Sequence, residues 1–175
     1  MNSGVTKVVV AFLLVAALCA WIFWPRSIEP AQESNRFKTP AGYSIIVPRD
    51  WGWKIDARPL DRTAKDKLFL SPRNPGYRPP GMSIVRLARE PNETDLKNND
   101  GFVNKSFQDE PALVFHGSRK KYWAWEAVFQ RGGDWFRLTL SIPGYEDIPS
   151  SNWFGYVNSF RYEPPPATQP AASGL

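Results

Sequence analysis

The sequence predicts an α+β domain, an antiparallel sheet packed with helices and preceded by one N-terminal transmembrane helix. Three stretches carry that reading. Tyr122–Ile142 holds two aromatic and β-branched runs on either side of Gly132-Gly133. Val8–Trp24 is a run of seventeen residues without a charge. Trp153, Val157 and Phe160 recur at i, i+4 and i+7, the spacing of one helix face.

The central stretch defines a hairpin. Gly-Gly supplies the positive φ that a tight turn needs. Phe136, Leu138, Leu140 and Ile142 fall on one face of the second run, with Trp135, Arg137, Thr139 and Ser141 on the other, the alternation of a half-buried strand. In the first run Trp123, Trp125, Ala127 and Phe129 share a face opposite Tyr122, Ala124, Glu126 and Val128. Both of its faces carry apolar groups, so it reads as a central strand covered on both sides.

As a helix, Val8–Trp24 spans about 26 Å, enough for a thin bilayer, and Trp21 and Trp24 stand where interface anchors belong. An uncleaved signal anchor is favoured over a cleaved signal peptide, because the apolar run continues past Ala17-Leu18-Cys19. Leu18 before Cys19 argues against a lipoprotein signal. The expected partner of residues 1–26 is therefore the membrane, with the folded domain extracytoplasmic. The boundaries follow as 27–35 for a linker, 36–163 for the domain and 164–175 for a Pro/Ala-rich disordered tail.

Within the domain, Tyr43–Val47 reads as a first strand, Leu68–Leu70 as a short buried one, and Met82–Ala88 and Ala112–Phe115 as further strands. Ser71–Gly81 is a loop by composition. Pro91–Phe107 is the best place for a second helix, with Leu96, Val103 and Phe107 on one side. Ser150 or Ser151 can cap the helix carrying Trp153.

Composition narrows the chemistry. The chain is 42% hydrophobic and has eight Trp, so a sizeable core can form. Its net charge of +5 comes from scattered basic residues; this suits loose attraction to anionic surfaces and does not point to nucleic acid. The one cysteine, Cys19, lies in the apolar run, which leaves the domain no disulfide, thiol chemistry or Cys-based metal site.

Two segments resemble the PsbP-like family. One is Phe37 followed by Pro40-Ala41-Gly42-Tyr43-Ser44-Ile45-Ile46-Val47-Pro48-Arg49-Asp50-Trp51; the other is Val157-Asn158-Ser159-Phe160-Arg161. Both are packing motifs, and the resemblance spans Arg36–Tyr162. It implies the fold of that family, an α/β/α sandwich shared with the Mog-type Ran-binding protein and several bacterial extracytoplasmic domains. The family includes photosystem extrinsic subunits and adaptors. No metal, cofactor or partner site of the family has a residue-by-residue match here.

His116 is the only histidine. A general base needs a nucleophile and an orienting carboxylate beside it, and spacing places none, so a strand-end histidine is favoured. Ser118 lacks a nucleophile elbow. Asp50, Asp109-Glu110 and Glu146-Asp147 have no calcium-loop spacing. The sequence thus predicts no catalytic, cofactor-binding or metal-ligating residue. It points to a non-enzymatic binding or scaffold domain with a protein partner. Two alternatives are a small hydrolase or metal-dependent enzyme using His116 with nearby carboxylates, and a lipid- or sugar-binding module using exposed aromatics. The candidate binding loop is Arg73, Tyr77 and Arg78, recognition residues in a Pro-rich segment.

Overall fold

Gly132 and Gly133 adopt φ of +57° and +85°, and the hairpin they close is the centre of the fold. The computed structural model describes residues 10, 12–15, 29–56, 64–73, 79–92, 96, 101–119, 122–143 and 151–165. Among these the strands are β1 (Arg36–Lys38), β2 (Tyr43–Ile46), β3 (Trp51–Asp56), β4 (Ala64–Pro72), β5 (Gly81–Leu87), β6 (Val103–Phe107), β7 (Glu110–Arg119), β8 (Tyr122–Arg131), β9 (Asp134–Pro143) and β10 (Arg161–Tyr162). A helix spans Ser151–Val157 and a 3-10 turn Glu33–Asn35. The strands form a seven-stranded sheet in the order β3-β4-β5-β9-β8-β7-β6 and a three-stranded sheet in the order β1-β2-β10. All pairings are antiparallel.

In the β8–β9 register Trp125 faces Leu140, Ala127 faces Leu138 and Phe129 faces Phe136. These residues line the inner face of the large sheet, and none is more than 8% exposed. The small sheet and the closing helix cover this face: Tyr43, Ile45, Trp153, Tyr156, Val157 and Phe160 join the same core. The outer face carries a smaller cluster of Leu87, Leu96 and Val128, with Phe102, Leu113 and Trp135 against it. Strand β8 is thus covered on both sides, as its two apolar faces predict.

The Val157–Arg161 segment is pinned by polar contacts as well as by Phe160. Ser159 Oγ accepts a hydrogen bond from the Ile46 amide (2.8 Å) and donates to the Tyr156 carbonyl (2.6 Å). Arg36 Nη1 donates to the Ser159 carbonyl at 2.8 Å. Gln108 Nε2 donates to the carbonyls of Asn158 (2.7 Å) and Phe160 (2.8 Å). Gln108 and Asp109 form the two-residue β6–β7 turn with φ of +52° and +65°, and that turn brings the Gln108 amide to the chain end.

A polar cluster closes the inner face where its apolar residues run out. Tyr43 Oη donates to Asp66 Oδ1 at 2.8 Å, and Arg86 Nε donates to Asp66 Oδ2 at 2.8 Å. Arg86 Nη1 lies 3.7 Å from Asp134 Oδ2. Lys65 Nζ reaches Asp134 Oδ1 at 2.5 Å, and the Tyr162 hydroxyl donates to Asp134. Lys65 is the extra residue of a bulge between Ala64 and Asp66, which re-aims side chains locally. Burial first, and then the Asp66 carboxylate, pushes the Tyr43 hydroxyl well above its ordinary pKa. Burial works against ionised Asp134, but hydrogen bonds from Lys65 and Tyr162 outweigh it and hold the carboxyl below its usual range.

The structure corrects the α+β reading. Of the described residues 58% are strand, and the helical layers of an α/β/α sandwich are absent among them. The closing helix is confined to Ser151–Val157; Trp153 and Val157 bury its apolar face, and Phe160 joins the core from just beyond its end. At its C-terminal end the helix expected over Pro91–Phe107 gives way to a strand at Val103–Phe107, while 93–95 and 97–100 lie outside the described residues. Gly101, at φ of +115°, breaks any helix there, and β7 offers a pairing edge. The N-terminal transmembrane helix is corrected too. No helix among the described residues is long and apolar enough to cross a membrane. Of Val8–Trp24, only Val10 and Phe12–Val15 are described; they are helical and exposed, and the rest of that run lies outside the described residues, as do 166–175 of the tail.

Two measurements follow. Phe160 is 2% exposed, its ring centroid 5.3 Å from Phe129 and 5.2 Å from Phe136. Phe160→Ala is expected to cost about 3–5 kcal/mol in urea unfolding; a loss below about 1 kcal/mol would show that the ring does not anchor the chain end. The lowered pKa of Asp134 means its charge contributes stability above the ordinary carboxyl pKa of about 3.9. That contribution is lost as pH falls through the lower folded-state value. Asp134→Asn is therefore expected to melt below the wild type at pH 7, the gap closing below about pH 4. A gap of constant size across that range would place the acid response elsewhere.

Candidate functional site

Among the described residues, the small sheet and the helix leave one part of the inner face open, over β6, β7 and β8. A groove of about 340 Å³ lies there, lined by Lys105, Ser106, Val114, His116, Trp123, Trp125 and Phe154. Antiparallel pairing assembles it: Lys105 is the register partner of Ala112, and His116 of Trp125. Val114 and Trp125 are buried at the floor, Trp123 and Phe154 are half-buried walls, and Lys105 and His116 are exposed at the rim. Phe154 follows Trp153 on the closing helix. Trp153 turns into the core, and a step of about 100° around the helix brings Phe154 to the groove. Its ring stands edge-on to both indoles, 6.5 Å from Trp123 at 89° and 6.2 Å from Trp125 at 86°.

The lining combines two basic side chains, Lys105 and His116, one hydroxyl and the rings of Trp123, Trp125 and Phe154, and contains no carboxylate among the described residues. His116 and Ser106 both line the groove, but Ser106 pairs with Pro111, five residues along β7 from His116, a separation of about 17 Å along the strand, and no described residue of the lining supplies the orienting carboxylate of a triad. Asp109 sits in the β6–β7 turn, and Glu110 is held by Arg131 at 3.1 Å. Among the described residues no group of three or more His, Cys, Asp or Glu side chains gathers to hold a metal.

A second trough of about 390 Å³ lies on the outer face, with Phe69, Ser71, Ser83, Tyr122, Thr139 and Ser141 among its walls. Among the described residues its lining has no carboxylate, imidazole, ammonium or guanidinium group. The Lys67 ammonium lies 4.3 Å from the Phe69 ring centroid.

Of the binding loop read from the sequence, Arg73 is described and Tyr77 and Arg78 lie outside the described residues. Arg73 is tied back to β3: its Nε donates to the Trp51 carbonyl at 3.3 Å and its amide to the Asp50 carbonyl at 3.0 Å. Sequence reasoning singled out His116 and the tryptophans but did not bring them together. Lys105 and Phe154 went unnoticed as site residues, the signal for Phe154 being a large ring one position away from the helix's apolar face.

No family model matches the chain, and no curated protein matches it. Solved structures do. A protein of Bacteroides thetaiotaomicron, known from a crystal structure, is similar at 12% identity and a TM-score of 0.51, over 74% of this chain and 48% of that one. The chain thus spans about half the length of that protein. The solution structure of cyanobacterial PsbP from Synechocystis sp. PCC 6803 is similar at 14% identity and a TM-score of 0.50, over 79% of this chain and 96% of that one. At such identities the likeness speaks for the fold alone. With the Tyr43–Trp51 and Val157–Arg161 segments packed against one core, the chain carries a PsbP-like fold.

Proposed function

We propose that the chain is a non-enzymatic binding domain that takes its ligand in the groove between Trp123, Trp125, Phe154 and His116. The carrying observation is the lining itself: an open, aromatic-walled cleft whose described residues include no carboxylate. Concave, mostly apolar sites with a few polar groups are the usual form of ligand pockets. Acid–base or nucleophilic catalysis by His116 would need a group to set its tautomer and stabilise its charge. The PsbP-like fold suits a binding or scaffold role.

The setting in this reading is extracytoplasmic, on the strength of the charge-free run Val8–Trp24 ahead of the domain. Cell fractionation checks it, and recovery with cytoplasmic markers would sink the assignment.

The functional reading is tested with the wild-type chain, Trp123→Ala and His116→Ala, each confirmed as folded by circular dichroism. Tryptophan fluorescence is followed against a mixed set of aromatic acids, sugars and lipids. At least one ligand class is expected to quench the wild type and to lose its effect in Trp123→Ala. Hydrolysis of p-nitrophenyl acetate is expected to be equal in the wild type and His116→Ala. Hydrolysis that collapses in the histidine variant would overturn the binding reading in favour of an enzyme.

A further inference from the structure

We propose that the groove binds a small organic anion, a carboxylate carried on a planar ring. This rests on the groove being the ligand site and names the chemistry it selects. Charge is the first argument. Lys105 and His116 stand at the rim with the Ser106 hydroxyl, and no carboxylate lines the cleft among the described residues. An ammonium, an imidazole and a hydroxyl can all donate hydrogen bonds. Lys105 pairs with Ala112, four residues along β7 from His116, so the two stand at opposite ends of the rim; a carboxylate beside the Lys105 ammonium would receive charge-assisted bonds, the stronger kind. A cationic ligand would meet no counter-charge among the described residues of the lining.

Ring geometry is the second. Phe154 stands at 89° to Trp123 and 86° to Trp125, so the walls form a corner of perpendicular aromatic faces. A flat ring lying against an indole presents its edge or face to Phe154, and offset-stacked and edge-to-face contacts are the preferred aromatic arrangements. A flexible aliphatic chain would gain burial there but neither of these oriented contacts.

Size is the third. At about 340 Å³, the groove is at the small end of ligand pockets, which run from about 300 to 1,000 Å³. It suits a ligand of one or two rings. The anion then sits at the open rim beside Lys105, and the ring enters toward Trp125, which is 8% exposed.

Three analogues of one shape separate the charge from the ring: indole-3-acetate, its neutral amide indole-3-acetamide, and the cationic tryptamine. Each is titrated into the full chain labelled with ¹⁵N, and the indole N–H resonances of Trp123 and Trp125 are followed. Indole-3-acetate is expected to shift both resonances and to bind about tenfold more tightly than the amide, the size expected for hydrogen bonds to a charged group. Tryptamine is expected to bind most weakly. Lys105→Gln, at an exposed position, should bring the acetate down to the level of the amide with the fold unchanged by circular dichroism. Equal affinities for the three analogues, with the indole shifts present, would overturn the anion assignment and leave the groove as a ligand site. An acetate preference that survives Lys105→Gln would overturn the cationic rim as its source. No shift at either indole with any analogue would remove both the anion and the groove.

Discussion

Phe136 is the ring on which the two sheets meet. It projects from β9 on the inner face of the large sheet and touches Tyr43 of β2 at 5.9 Å, Phe160 at 5.2 Å and Tyr162 of β10 at 4.9 Å. Phe129 stacks beside it at 5.9 Å. Seven strands expose a wide apolar face, and a sheet with one such face is stable only when something covers it. Here a single closing helix and three short strands supply the cover. Each large ring buried at the seam contributes on the order of 1.5–3 kcal/mol relative to exposure. The small sheet is too short to stand without it.

The polar cluster at the end of the same face has a different role. Asp66, Arg86 and Asp134 project from the inner face of the large sheet, and Tyr43 and Tyr162 reach them from the small one. Burying ions is costly, and such groups favour one arrangement more than they add net stability. Every partner must be met for the cluster to be tolerated. The bulge at Lys65 and the Gly132-Gly133 turn place Lys65 and Asp134 within reach. Gly132 itself leaves no room for a side chain: a Cβ there would lie 2.9 Å from the Tyr162 ring. The hairpin turn and the small sheet are thus fitted to each other.

The groove is the other consequence of incomplete cover. The small sheet meets the β4–β5–β9 side through Tyr43, whereas among the described residues the helix and the segment after it reach β6–β8. The helix's seven residues present Trp153 to the core and Phe154 to the cleft. Aromatic rings half-buried at such a border remain available to a ligand, while those at the seam do not. Edge strand β6 contributes the rim, and the lysine there also discourages pairing with another copy of the same edge, where like charges would oppose.

Local sequence determined the elements whose signal is local. Gly-Gly dictated the central turn because positive φ at two consecutive residues is cheap for glycine and strained for other residues. Period-two alternation identified the buried face of β9, and apolar groups on both faces marked β8 as central. The i, i+4, i+7 spacing located the one helix with a core-facing stripe, and the Tyr43–Trp51 and Val157–Arg161 motifs pointed to the PsbP-like fold. Tertiary structure decided what depended on partners far away in the chain. Val103–Phe107 has little strand signal of its own and becomes a strand because β7 pairs with it. The helices expected to sandwich the sheet were not required once a second sheet covered its inner face. The groove draws on three strands and a helix, and its residues meet only because strand register and helix rotation bring them there. Periodicity reports which face of an element is apolar; it does not report which neighbour will cover it or where the cover will stop.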